Sequence, residues 1–166
     1  MPHATTYQDQ ADTEPLNFGN VEKQRQLDDA GRAAAKDIGA AFAKLRIPVG
    51  DVYTSMFSRA IETAWLAFGE ATPKLDLTEG GLVVTPIEND RRAQALRKLA
   101  ATAPPAGINT FAVTHKSNIL DAFGKDWFEV REGEATVFRP DGNGRYEVVA
   151  RVQAHEWSRL AADHSP

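Results

Sequence analysis

The strongest constraint on this chain is a repeated local unit, in which a short β-prone run leads through a polar turn into a helix-patterned segment. Asp51-Val52-Tyr53-Thr54-Ser55 is followed by helical periodicity from Ser58 to Phe68, with Gly69 as a stop. Leu82 to Thr85 reads as a second strand ahead of a helix over Asp90 to Ala103, and Asn109 to Thr114 as a third running into Ser117 to Phe123. Strands alternating with helices predict a three-layer α/β/α fold whose mostly parallel sheet is covered on both faces. Functional groups in such sheets gather beyond the carboxyl ends of the strands. Residues 54–59, 85–90 and 114–118 all fall there and should converge.

The flanking segments complete one domain over residues 1–166, without repeats or an internal linker. Residues 1–24 are polar, show neither periodicity, and predict a long or poorly ordered loop. From Asp28 to Leu45 an alanine-rich run places Ala34, Ile38, Ala41, Phe42 and Leu45 on one helical face, with Asp28 and Asp29 at its positive end. Beyond Gly124, Ala135 to Phe138 and Tyr146 to Val152 flank Asp141-Gly142-Asn143-Gly144, a hairpin signature. A helix over His155 to Ala162 closes the chain, with Trp157 and Leu160 spaced to pack back on it.

A net charge of -4 gives no global attraction to nucleic acid or an anionic membrane, so an anionic ligand needs a local group of Arg and His. Without cysteine, thiolate catalysis, disulfides and Cys-ligated zinc are excluded. The histidines match no recognised metal spacing; His155 and His164 read as surface residues. No apolar run reaches the roughly 20 residues of a membrane span. The first residues lack a basic stretch followed by an apolar one, so the chain as written is expected in the cytoplasm, and in the periplasm or outside the cell only with a longer N-terminus.

Arg59 falls in the first turn of a helix, where free backbone donors favour an anion and a guanidinium can grip phosphate with two hydrogen bonds. The plainer alternative is a solvated residue paired with Asp51 or Glu62. His115 ends an apolar strand beside another helix start, as an imidazole at the sheet's functional edge or as a capping or core histidine.

Several motifs occur together: Gln24-Arg25-Gln26-Leu27, Gly31-Arg32, Thr54-Ser55-Met56-Phe57-Ser58-Arg59-Ala60-Ile61-Glu62-Thr63-Ala64 and Val113-Thr114-His115. In this order and spacing the chain resembles the histidine phosphatases, the phosphoglycerate-mutase-like superfamily. Gly133-Glu134-Ala135, Phe138-Arg139-Pro140-Asp141-Gly142 and Glu156-Trp157 resemble the terminal hairpin and helix of one bacterial branch of small members. The resemblance implies a phosphate-binding Arg59, a second active-site histidine at His115, a lesser phosphate contact from Arg25, and no metal or other cofactor.

The departure lies at the N-terminus, where the family has an apolar strand ending in Arg-His-Gly or Arg-His-Ala. His3-Ala4 matches the end of that motif, Pro2 stands in the place of the arginine, and no apolar strand precedes it. By this resemblance His3 is the nucleophile, expected to lack an anchor, and a neighbouring acid protonates the leaving alcohol. Glu88 is the preferred acid, against the reading that Glu88 and Asp90 only favour the helix N-terminus.

The implied function is phosphomonoester hydrolysis through a phosphohistidine, impaired by Pro2 and the missing strand. The alternative is a non-catalytic module binding a phosphorylated ligand or protein partner. The implied ligands are phosphate and phosphorylated small molecules, with self-association expected through an unpaired sheet edge.

Overall fold

A computed structural model describes residues 1–80 and 83–163. Helix α1 (Asp29–Lys44) begins where the Asp28 carboxylate accepts a 2.6 Å hydrogen bond from the Gly31 amide, as an N-cap should. Its buried face is Ala35, Ile38, Ala41 and Phe42. Strand β1 (Val49–Thr54) leads into α2 (Ser58–Phe68), which Gly69 ends in the left-handed conformation at φ 76°. A two-residue strand β2 (Thr72–Pro73) follows, then α3 (Pro86–Ala100), β3 (Asn109–Val113) and α4 (Lys116–Phe123). The hairpin β4 (Ala135–Pro140) and β5 (Tyr146–Val152) precedes α5 (Ala154–Asp163).

The sheet order is β2-β1-β3, all parallel, with the β4-β5 hairpin as a separate antiparallel pair. Alternate strand residues enter opposite layers, as the pleat requires. On one side Phe111 packs with Ile38, Phe42, Ala67 and Trp157 of α1, α2 and α5; on the other, Ala112 and Tyr53 pack with Leu96, Ile119 and Ala122 of α3 and α4. This is the expected three-layer α/β/α arrangement. No helix among the described residues is long and apolar enough to cross a membrane.

The strand expected over 82–85 is corrected: Leu82 lies outside the described residues, and 83–85 bend into the start of α3. Thr85 accepts from the Glu88 amide at 3.2 Å and Pro86 takes the first helical position, so α3 starts before the predicted Asp90. The strand beside β1 is β2 instead, two residues containing a proline and too short to show periodicity.

The expectation that His3 lacks an anchor is also corrected. The Thr114 amide donates to the Met1 carbonyl and the His3 amide to the Thr114 carbonyl, both at 2.9 Å, placing Pro2 in a parallel bridge with Thr114. The Gly133 amide donates to the His3 carbonyl at 2.9 Å, and the Ala4 amide to Thr63 Oγ1 at 3.1 Å. Further along, Thr6 bridges Leu27, and Asp28 accepts from the Thr5 hydroxyl at 2.8 Å. The start of α1 thus clips residues 4–6 onto the domain.

That clip needs the absence of a side chain at Gly31, where a Cβ would stand 2.2 Å from the Thr5 carbonyl oxygen. Gly31→Ala is expected to destabilise the fold by about 1–3 kcal/mol, the ordinary cost of overpacking against an unyielding backbone. Urea unfolding measures this, and an unchanged midpoint would contradict the close approach.

Candidate active site

The parallel register sets Thr54 beside Val113, so the turns after β1 and β3 leave the sheet together. There His115 Nε2 lies 2.7 Å from Ser55 Oγ, which also accepts from the Phe57 amide at 3.1 Å. With that amide as one donor, the serine hydroxyl is free to donate to Nε2. The His115 proton then sits on Nδ1, 3.1 Å from Glu79 Oε1 though outside hydrogen-bond alignment.

Arg59 is 1% exposed in the first turn of α2. Its guanidinium donates to Asp12 Oδ1 at 2.8 Å and to Glu79 Oε1 at 2.5 Å, and lies 4.2 Å from the centre of the Phe57 ring. Neither Asp51 nor Glu62 is the partner, and Glu62 accepts from Arg32 at 2.7 Å. Glu79 Oε1 is therefore addressed by both Arg59 and His115, and Ser117 donates to its second oxygen at 2.8 Å. The backbone just before it is fixed by Thr114, Arg92 and Asn118, which donate to the Leu77 and Thr78 carbonyls.

His3 is 4% exposed, with its ring centroid 5.1 Å from that of His115 in an edge-on arrangement. Its Nδ1 lies 2.7 Å from the Ala4 carbonyl, which can only accept, so Nδ1 carries the proton and Nε2 keeps its lone pair. Burial, then the neighbouring His115, push the His3 imidazole well below its ordinary value. His115 is also lowered, by burial in opposition to Glu79. Burial opposes ionisation of Glu79, but His115, Arg59 and Ser117 outweigh it and hold the carboxyl well below the usual range.

A cavity of about 620 Å³ opens over this group, with Pro2, His3, Arg25, Glu79, His115 and Glu132 among its lining residues. Arg25 reaches it, 3.9 Å from Glu132, whose carboxyl burial pushes up. His155 stands exposed at its rim, and His164 lies outside the described residues. Glu88 does not line the cavity: hydrogen bonds from Arg91 and then Arg92 lower its carboxyl to about 2. Its carboxylate pairs with Arg91 and Arg92 instead. Sequence reasoning missed Glu79 because residues 74–80 have no periodicity; its only visible signal was a carboxylate between two strand-like runs. Asp12, in the polar N-terminal loop, gave none.

The fold is that of the histidine phosphatase superfamily. Among solved structures, the protein histidine phosphatase SixA complexed with tungstate matches with a TM-score of 0.61 and 15% identity, over 94% of this chain and 96% of that one. A SixA from Agrobacterium tumefaciens described as a phosphohistidine phosphatase matches at 0.59 and 18%, over 91% and 93%. An Entamoeba histolytica phosphoserine phosphatase in complex with 3-phosphoglyceric acid matches at 0.61 and 14%, over 92% and 94%. No family model and no curated protein sequence matches the chain.

The lowered histidines carry a stability consequence. An imidazole neutral in the fold but basic when unfolded binds its proton preferentially in the unfolded state. Stability is therefore retained above the unfolded value of about 6.5 and lost as pH falls from there through the folded values. The melting temperature is expected to fall more steeply between pH 7 and 5.5 than in a His3→Asn/His115→Asn protein; parallel slopes would contradict it.

Proposed function

We propose that this chain hydrolyses phosphomonoesters through a phosphohistidine on His3. The observation supporting this reading is that Arg59 and His115 both address one anion position, at present taken by Glu79 Oε1, beside a histidine with a free Nε2.

A phosphoryl oxygen entering that position displaces Glu79 Oε1 and takes over its partners. The displaced carboxylate, beside a phosphate dianion and apart from its cations, gains a proton. His3 Nε2 then attacks phosphorus as the ester P–O bond breaks, and the departing oxygen takes the Glu79 proton. Water next attacks the phosphohistidine, its proton passing to the Glu79 carboxylate as the P–N bond breaks, which releases phosphate. The substrates are phosphorylated small molecules, with Arg25 and Lys116 near the cavity mouth to meet their negative charge. SixA bound to tungstate and a phosphatase bound to 3-phosphoglyceric acid support this substrate class.

Pro2 lines the cavity where the family's motif has arginine, and removing a charge-assisted donor to a transferring group costs about 10²–10³ in rate. Pro2 also favours a second reading, a phosphate-binding module without turnover. Aryl phosphate hydrolysis without added metal tests both. Pro2→Arg is expected to raise kcat/KM by about 10²-fold, while His3→Ala and His115→Ala abolish activity. Phosphate binding that needs Arg59, with no hydrolysis even in the Pro2→Arg protein, would favour the module.

Glu79→Gln gives a separate check on the acid. An alkyl phosphate, whose leaving group needs protonation, is expected to slow by about 10²-fold or more, and a nitrophenyl ester far less. Equal slowing of both would remove Glu79 from that role.

A further inference from the structure

The contacts that fix the Arg59 guanidinium leave one of its donors unused. Asp12 accepts from Nη1 and Glu79 from Nη2, with the Phe57 ring against its face. Nε is buried and finds no hydrogen-bond partner among the described residues. In a planar guanidinium Nε and Nη2 donate side by side along one edge, a spacing that two oxygens of a phosphate match. An anion in the place of Glu79 therefore has a free donor beside it.

The two carboxylates on Arg59 are placed differently. Glu79 lines the cavity of about 620 Å³, while neither Asp12 nor Arg59 does, so an anion arriving through it meets Glu79 first. Asp12 is held by its own loop. The Tyr7 amide donates to the Gln26 carbonyl, the Gln26 amide to Gln10 Oε1, the Arg25 amide to Asp12 Oδ1 and the Thr13 amide to the Lys23 carbonyl. In this irregular ladder the side chains of Gln10 and Asp12 accept where backbone carbonyls otherwise would. The oxygen that takes the Arg25 amide at 2.9 Å also takes Arg59 Nη1 at 2.8 Å, so its place does not depend on Arg59 alone.

We propose that Asp12 is a positioning residue that stays on Nη1 when an anion displaces Glu79, and so turns the Nη2 and Nε edge of Arg59 to that anion. The assignment rests on Arg59 as the group that holds phosphate in the proposed reaction. Without Asp12, the buried Nη1 has no partner of its own, and the guanidinium can turn both Nη groups to Glu79, which an anion then displaces less readily. Asparagine offers the same oxygen without the charge, so it keeps the edge presented and makes the inner shell less negative.

The probe is inorganic phosphate, titrated without metal into the whole chain while following the Arg59 Nε–H resonance by ¹H–¹⁵N NMR, assigned by its loss in Arg59→Lys. On saturation this resonance is expected to shift and to exchange more slowly with water. Asp12→Ala is expected to bind phosphate about tenfold more weakly or worse, and to lose the shift. Asp12→Asn is expected to keep the shift and to bind at least as tightly as the unsubstituted chain. An Nε–H resonance that phosphate leaves unmoved in the unsubstituted chain would overturn the proposal, as would undiminished affinity in Asp12→Ala or an asparagine protein as weak as the alanine one. Aryl phosphate hydrolysis separates this role from the reaction itself. Phosphate held with the Nε–H shift but without turnover removes the hydrolysis reading and leaves the role of Asp12 intact, whereas turnover with an unmoved Nε–H removes the role of Asp12 alone.

Discussion

A guanidinium withdrawn from water needs counter-charges, and the arrangement around Arg59 follows from that need. Asp12 and Glu79 approach it from opposite parts of the chain, and Phe57 covers it with a ring face. Each contact organises a segment without regular structure of its own. Asp12 also accepts from the Arg25 amide at 2.9 Å, tying the N-terminal loop to the entry of α1. Glu79 brings the end of the β2-α3 connection against His115 and Ser117. The fold therefore gathers its catalytic candidates around one buried positive charge rather than along one element.

The second constraint is how His3 is held. Backbone bonds to Thr114 and Gly133, and the ring bond to the Ala4 carbonyl, fix it from three directions. Gly133 makes its bond from a turn at φ 74°, a conformation that favours glycine. That turn is tied down by Glu134, fully buried, which accepts from Arg151, Gln153 and the Arg131 amide. The terminal hairpin is thus part of the apparatus that positions an imidazole more than a hundred residues earlier in the sequence.

What could be read from the sequence divides along the same line. The layers and most helices followed from periodicity: α2 and its Gly69 stop were legible because an amphipathic face and a left-handed cap are local properties. The places of Arg59 and His115 in the fold were legible because helix starts and strand ends can be located before packing is known. Glu79, Asp12 and the anchoring of His3 were not, since each depends on contacts between segments far apart in the chain. The surroundings of Glu88 were not legible either: at a strand's expected carboxyl end it looked unpaired, and α3 supplies Arg91 and Arg92 as its partners.

The charge balance of the inner site gives Pro2 its meaning. One guanidinium faces two carboxylates, and both histidines are neutral under the burial they experience, so the innermost shell carries a net negative charge before any ligand arrives. A phosphomonoester dianion can enter only if a carboxylate leaves or becomes protonated. An arginine at the position of Pro2 would bring that shell to neutrality and relieve much of this requirement. With proline there, the proposed mechanism gives that adjustment to displacement and protonation of Glu79. In the proposed mechanism the event that admits phosphate also protonates the acid that releases the alcohol, so binding and proton donation are coupled through a single side chain.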